Sequence, residues 1–105
     1  IAQFREAVKV NPQYAEAWFK LGMLLKEQDD KPGAIDALRH SVSLDGTDAG
    51  AFNTLALLLK RTGDEKGAQE AFAKAAALRK AEADQKAKAL REGEARVAGH
   101  PAGKQ

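Results

Sequence analysis

Apolar residues recur along this chain at the spacing of amphipathic helices. The residues Trp18, Leu21, Gly22 and Leu25 fall at i, i+3, i+4 and i+7. This spacing forms one stripe of a helix with 3.6 residues per turn. The pattern returns 34 residues later at Phe52, Leu55, Ala56 and Leu59. A fixed period of this length predicts a repeat protein, in which each unit buries its apolar face against its neighbours.

Each of these helices is followed by a second one with its own apolar face. Short polar runs, 29–33 and 62–67, separate the paired helices and carry the Gly, Pro and Asp residues typical of a helix end and a new start. Between units lie further breakers, with Asp48 as the expected N-cap of the next helix. The inner face of the second helix consists of Ala34, Leu38, Ser41 and Val42 in one unit and Ala68, Phe72, Ala75 and Ala76 in the next.

Paired helices with a Trp-x-x-Leu-Gly-x-x-Leu start, an early small residue such as Ala34 and a large apolar residue four positions later resemble the tetratricopeptide repeat family. The resemblance covers residues 1–78, as a partial repeat (1–14) and two full ones (15–48 and 49–78). It implies an all-α fold, a right-handed α-solenoid of helix–turn–helix repeats. We expect Ala34 to let its helix approach Gly22 closely, and Ala68 to do the same over Ala56.

The repeat ends after Leu78, because Lys86 and Ala89 stand where a third unit needs large core residues. Residues 68–98 contain no Pro and a single Gly, so we expect the last helix to continue through a C-terminal extension, 79–98, before a flexible tail, 99–105. A weak apolar stripe on this extension either caps the stack or binds a partner helix. Its members are Ala83, Ala87, Leu90 and Val97.

Composition and charge narrow the classes of function. The 105 residues carry a net charge of +2 and no cysteine, which gives neither a basic field for nucleic acid nor a disulfide framework. No apolar run is long enough to insert into a membrane, and a soluble, cytoplasmic chain is the default expectation. Because Ile1 falls inside a repeat, we expect the chain to be a fragment of a larger protein.

The sequence offers little for catalysis. His40 and Ser41 are neighbours on one helix, so their side chains diverge by about 100° and form no nucleophile–base pair, and His100 lies in the predicted tail. We find no metal-ligand spacing and no phosphate-binding loop. The prediction is a protein without catalytic, cofactor-binding or metal-binding residues.

A second stripe, running from Glu16 to Glu27 on the helix of Trp18, is rotated by about 100° from the core stripe. In the resembled family this face and its counterpart in the next repeat line a concave groove that binds a partner peptide. The alternative is that Phe19 and Met23 belong to the core between repeats. The groove residues are Phe19, Lys20, Met23, Lys26, Asn53, Leu57, Lys60 and Arg61.

The composition of this groove suits a protein or peptide segment with apolar anchors and some acidic residues. Some family members grip an acidic C-terminus through Lys and Asn residues, but this chain has Phe19, Met23 and Thr54 at three of those places. A second function stays open, which is self-assembly through the open N-terminal edge of the repeats and the C-terminal helix. Residues 1–14 lack their own first helix, so Ile1, Phe4 and Val8 are expected to be exposed and to form a homodimer.

Overall fold

Five helices follow one another in the computed structural model, which describes the backbone of residues 1–99 and the side chains of residues 1–93. Within residues 1–99 there is no strand, and the predicted all-α class is confirmed. The predicted tail, apart from Gly99, lies outside the described residues. The helices are α1 (Ala2–Val10), α2 (Ala15–Glu27), α3 (Lys31–Leu44), α4 (Ala49–Arg61) and α5 (Glu65–Gly99).

The helices pack in the order in which they occur along the chain. The two tightest pairs are α2 with α3 and α4 with α5, while α3 also packs on α4 and α1 on α2. Because each helix lies against its neighbours in sequence, the stack grows in one direction, as expected of an α-solenoid. The predicted solenoid of helix–turn–helix pairs is therefore confirmed.

Asp side chains begin three of the helices in the same way. The Oδ1 atom of Asp30 accepts a hydrogen bond from the backbone N–H of Gly33 at 3.0 Å, and Asp64 repeats this bond with Gly67 at 2.9 Å. Asp48 accepts from the N–H of Ala51 at 3.1 Å, so its predicted role as an N-cap is confirmed. These bonds satisfy N–H groups that have no partner within the helix.

The turns inside the two pairs are also equivalent. The chain turns through Asp29, at φ 64°, in one unit and through Gly63, at φ 93°, in the other. In each turn the following N–H reaches back to the last helical turn, from Asp30 to the carbonyl of Leu25 at 2.9 Å and from Asp64 to that of Leu59 at 2.8 Å. A left-handed residue with this hydrogen bond is the usual C-terminal stop of a helix.

The core lies between the paired helices, at the positions that carry the repeat. Ala34 and Leu38 are completely buried, and Gly22 is so close to them that a Cβ there would lie 2.9 Å from Cγ of Leu38 and 3.3 Å from the carbonyl oxygen of Ala34. This is the close approach that the sequence predicted. Ala76 departs from the prediction, since it is exposed. Its counterpart Val42 packs against the core. The difference arises because α4 packs on α3, whereas no helix follows α5 among the described residues.

The first helix corrects a second expectation. Val8 is only 8% exposed, and Ile1 and Phe4 are half-buried and pack against the core. The expected exposure is therefore wrong for Val8, and Ile1 and Phe4 are only partly exposed, because α1 places its apolar face on α2. Only Val10, at the end of α1, leaves a large apolar side chain in solvent, at 82% exposure, among the described residues of this helix.

The last helix is much longer than the unit that it completes. Its 35 residues begin against α4, but every residue from Arg79 to Glu92 is exposed. The predicted stripe is uncovered within this chain, with Leu90 at 64% exposure, and the side chain of Val97 lies outside the described residues. The molecule is accordingly elongated, 64 × 33 × 20 Å. Over the described residues, neither α5 nor any other helix is apolar enough over a sufficient length to span a membrane.

Candidate functional groove

The groove face of α2 combines packed and accessible side chains. Phe19 is half-buried and lies against the core, so the alternative interpretation, a core position between repeats, accounts for part of its surface. Met23 and Lys26, one and two turns further along, are half-buried, and Lys20 is exposed. Since 19, 23 and 26 are spaced by four and three residues, they share one face of the helix.

The corresponding face of α4 carries an apolar side chain that the fold does not bury. Leu57 is 42% exposed, whereas its neighbour Leu58 is 1% exposed. The two side chains point about 100° apart on the helix, and only Leu58 turns into the core. Asn53, one turn earlier, is half-buried, and Lys60, one turn later, is exposed. Leu57 is thus an exposed apolar side chain with polar neighbours one turn before and one turn after it.

A cavity of about 260 Å³ opens beside the start of α2, between that helix, the end of α3 and the loop that leads to α4. It brings together two of the eight predicted groove residues, Phe19 and Lys20. The other six lie further along α2 or on α4. The remaining walls of the cavity are Ala15, Glu16, Ser41, Asp45 and Asp48.

Three carboxylates therefore face this cavity, and only Glu16 among them lies on the groove stripe predicted from the sequence. Asp45 and Asp48 belong to the loop between units, and their nearness to α2 follows from the stacking of one repeat on the next. The sequence signal that could have found them is their position in that loop. The solenoid brings the loop beside the first helix of the preceding pair.

Hydrogen bonds hold the walls of the cavity in place. Ser41 Oγ donates to the backbone carbonyl of Ala15 at 3.1 Å and so ties α3 to the first turn of α2. Asp45 accepts from the hydroxyl of Thr47 at 2.6 Å and from its backbone N–H at 3.0 Å. These two bonds, the hydroxyl bond foremost, hold the pKa of Asp45 below its ordinary value. The carboxylate is therefore ionised at neutral pH.

The residues closest to catalytic chemistry are engaged in structure. The imidazole of His40 stacks on the indole of Trp18, with ring centroids 4.1 Å apart and planes at 12°. Trp18 Nε1 donates to the carbonyl of Pro12 at 2.8 Å, and Nδ1 of His40 lies 2.9 Å from the carbonyl oxygen of Asp36. Since Ser41 bonds to Ala15 instead, the pair forms no catalytic arrangement. Candidate His100 lies outside the described residues.

Metal binding has no support in the described part of the chain. No group of three or more His, Asp or Glu residues there has an arrangement that could hold an ion. Two of the carboxylates beside the cavity accept hydrogen bonds within the chain, since Asp48 caps α4 and Glu16 accepts from the hydroxyl of Tyr14 at 3.3 Å.

Family models for the tetratricopeptide repeat match this sequence twice, over residues 4–36 and over residues 49–82. The two matches together span more than half of the chain. The first runs through α1 and α2 into the start of α3, and the second covers α4 and the beginning of α5. A comparison with curated protein sequences finds no match.

Solved structures of MamA have a similar fold. One crystal structure of MamA aligns with a TM-score of 0.73 at 25% identity, covering 77% of this chain and 47% of that chain. Another aligns with a TM-score of 0.69 at 30% identity, covering 72% of this chain and 42% of that chain. This chain thus spans less than half the length of the MamA chains that it resembles.

Proposed function

This chain belongs to the tetratricopeptide repeat family, and from that premise we propose that it holds a peptide segment of a partner protein on the face formed by α2 and α4. The family supports a non-catalytic protein-interaction scaffold in general. The finer proposal concerns which surface binds and which kind of segment it takes.

The observation that carries this proposal is the exposure of Leu57 beside the buried Leu58. A single exposed leucine is ordinary on a protein surface, but this one shares a face with Asn53 and Lys60. The matching positions of α2 hold the half-buried Met23 and Lys26. Apolar anchors between hydrogen-bonding and cationic groups suit an extended segment with apolar side chains and some acidic ones.

The absence of catalysis is part of the proposal. Ser41 and His40 are the pair that comes nearest to a nucleophile and a base in the sequence, and each is bound to another group. Neither side chain faces the other, so neither activates the other. The groove is expected to bind its partner and to release it unchanged.

Self-assembly through residues 1–14 would rest on the half-buried Ile1 and Phe4 alone, because Val8 is buried. A second candidate function remains on the other end of the molecule, where the exposed Ala83, Ala87 and Leu90 follow one face of α5. Sedimentation equilibrium tests whether the chain associates with itself through α5. A dimer that Leu90→Asp abolishes supports self-association through α5, and a monomer at all concentrations excludes it.

The peptide-binding proposal is tested by selecting a random heptapeptide library, displayed on phage, against the immobilised chain. We expect selected peptides to bind the chain in solution, and Leu57→Asp to weaken that binding at least tenfold. Val10→Asp is the matched control, because it places the same charge on an exposed apolar residue of α1. If the two variants weaken binding equally, or if no peptide is selected, the proposal fails.

A further inference from the structure

We propose that the two ends of the groove carry opposite charges. The groove then binds a partner segment with a basic residue at one end and an acidic residue at the other. The basic residue enters the cavity beside Phe19, and the acidic residue lies at the far ends of α2 and α4. This inference rests on the proposed function and adds the chemistry and the length of the bound segment.

The cavity end of the groove is acidic. Glu16, Asp45 and Asp48 face the cavity against a single cation, Lys20. Although these carboxylates already accept hydrogen bonds within the chain, an ionised carboxylate has about four acceptor sites and can take further donors. Glu16 and Asp45 are also exposed, so a donor from outside can reach them.

Phe19 gives the same cavity an aromatic wall. Arginine and lysine side chains bind favourably against aromatic faces, and their aliphatic stems cover apolar surface while the charged head stays polar. The cavity, about 260 Å³, greatly exceeds the share of one water molecule, which is about 30 Å³. A long basic side chain therefore fits its chemistry better than an acidic one or water alone.

The opposite end of the groove carries more cations than carboxylates, with Glu27 as the acidic residue at the end of the α2 stripe. Lys26 lies in the last turn of α2, and Lys60 and Arg61 lie in the last turn of α4. The expectation of acidic residues in the partner, drawn from the sequence, rested on these three cations together with Lys20 and Asn53. Acidic residues at the start of a helix and basic residues in its last turn both interact favourably with the helix dipole. Both α2 and α4 have an acidic side chain at the start and a basic one in the last turn.

The helix geometry sets the length of the segment. Ten residues separate Glu16 from Lys26, which is about 15 Å at a rise of 1.5 Å per residue. Asp48 and Lys60 are twelve residues apart, or about 18 Å. An extended peptide rises by about 3.3 Å per residue, so its two charged residues should be separated by roughly five positions, with apolar side chains between them.

The test selects heptapeptides from the random phage library on three proteins. These are the wild-type chain and two variants with reversed charge, Glu16→Lys and Lys60→Glu. We expect the selected peptides to be enriched in Lys or Arg at one end and in Asp or Glu at the other. Glu16→Lys should lose the enrichment of the basic residue, and Lys60→Glu that of the acidic one. Glu16→Gln, which removes the charge without reversing it, is the mild control for folding.

Affinities of synthetic peptides then assign each end. For a selected peptide, Glu16→Lys should lower the affinity by at least about two- to fivefold, because it removes one exposed ion pair and adds a repulsion between like charges. The same peptide with Gln in place of its basic residue should bind the variant and the wild type equally. Peptides that bind but show no charge pattern overturn this inference and leave the proposed function standing. A basic preference that responds to Lys60→Glu instead of Glu16→Lys also overturns it, and a failure to select any peptide overturns both.

Discussion

The indole of Trp18 and the imidazole of His40 stack face to face, 4.1 Å between centroids, and so join the first helix of a repeat to the second. Trp18 is the single tryptophan of the chain, which makes its fluorescence a direct report on this contact. We expect His40→Ala to shift the emission to longer wavelength, because water replaces the imidazole on the ring face. His40→Phe keeps an aromatic partner and should leave the emission nearly unchanged. Identical spectra for the wild type and His40→Ala would contradict the stack.

The close approach at Gly22 predicts a substitution that acts against helix propensity. Alanine favours a helix over glycine by about 1 kcal/mol, but a Cβ at position 22 would lie 2.9 Å from the buried Cγ of Leu38. We expect Gly22→Ala to lower the free energy of unfolding by about 1–3 kcal/mol through overpacking. Gly93→Ala is the control, since nothing lies within 4 Å of a Cβ there. Urea unfolding measures both, and a gain in stability from Gly22→Ala would refute the close contact.

The turns of the two repeats predict a pair of opposite effects. Gly63 has φ 93°, and a Cβ added there would have no neighbouring atom within 4 Å, so Gly63→Ala acts only through its left-handed backbone. We expect it to cost about 1–2 kcal/mol of unfolding free energy. Asp29, at φ 64°, occupies the same place in the other repeat. Asp29→Gly removes the backbone cost and also the exposed ion pair with Lys31 Nζ at 2.6 Å, which contributes little, so we expect a small net stabilisation. Thermal unfolding of both variants measures this. Equal signs for the two would show that the turns are not equivalent.

How much of this the sequence predicted depends on how local each feature is. The 34-residue offset predicted the helix pairs, and the breakers between the units predicted the N-cap at Asp48, because helix faces and caps depend on residues close together in the chain. The stack on His40 was missed, since it depends on how α2 is rotated against α3. The cavity carboxylate of Asp45 was missed for the same reason, because only the stacking of repeats brings its loop beside α2. The burial of Val8 reversed an expectation that rested on the missing first helix of its repeat and left out the packing of α1 on α2.

The hydrogen bonds of Asp45 predict a dependence of stability on pH. The folded-state pKa of this carboxyl lies below its ordinary value, chiefly because the hydroxyl of Thr47 donates to it. The resulting stabilisation is present above the unfolded-state pKa, about 3.9, and is lost as the pH falls through the folded-state value. We expect the wild type to lose stability below about pH 4 relative to Asp45→Asn, which keeps the acceptor without the charge. A constant difference between pH 7 and pH 3 in urea unfolding would contradict this.

The two parts of α5 should differ in local stability. Residues 65–78 lie in the repeat that packs on α4, whereas residues 79–92 are exposed on all sides. Amide hydrogen exchange should therefore be faster after Arg79 than before Leu78, because opening the extension breaks no core contact. Measurements at low and high protein concentration separate local opening from association. If the two parts are equally protected at high protein concentration but not at low concentration, α5 pairs with another copy of the chain.

The most direct test of the central proposal is an NMR titration of the isotopically labelled chain with a heptapeptide selected from the phage library. If the face of α2 and α4 binds the segment, the largest amide shift changes should lie between Phe19 and Lys26 and between Asn53 and Arg61. Leu57→Asp should abolish these changes, and Val10→Asp should preserve them. Shift changes confined to α1, α3 or α5 would contradict the account.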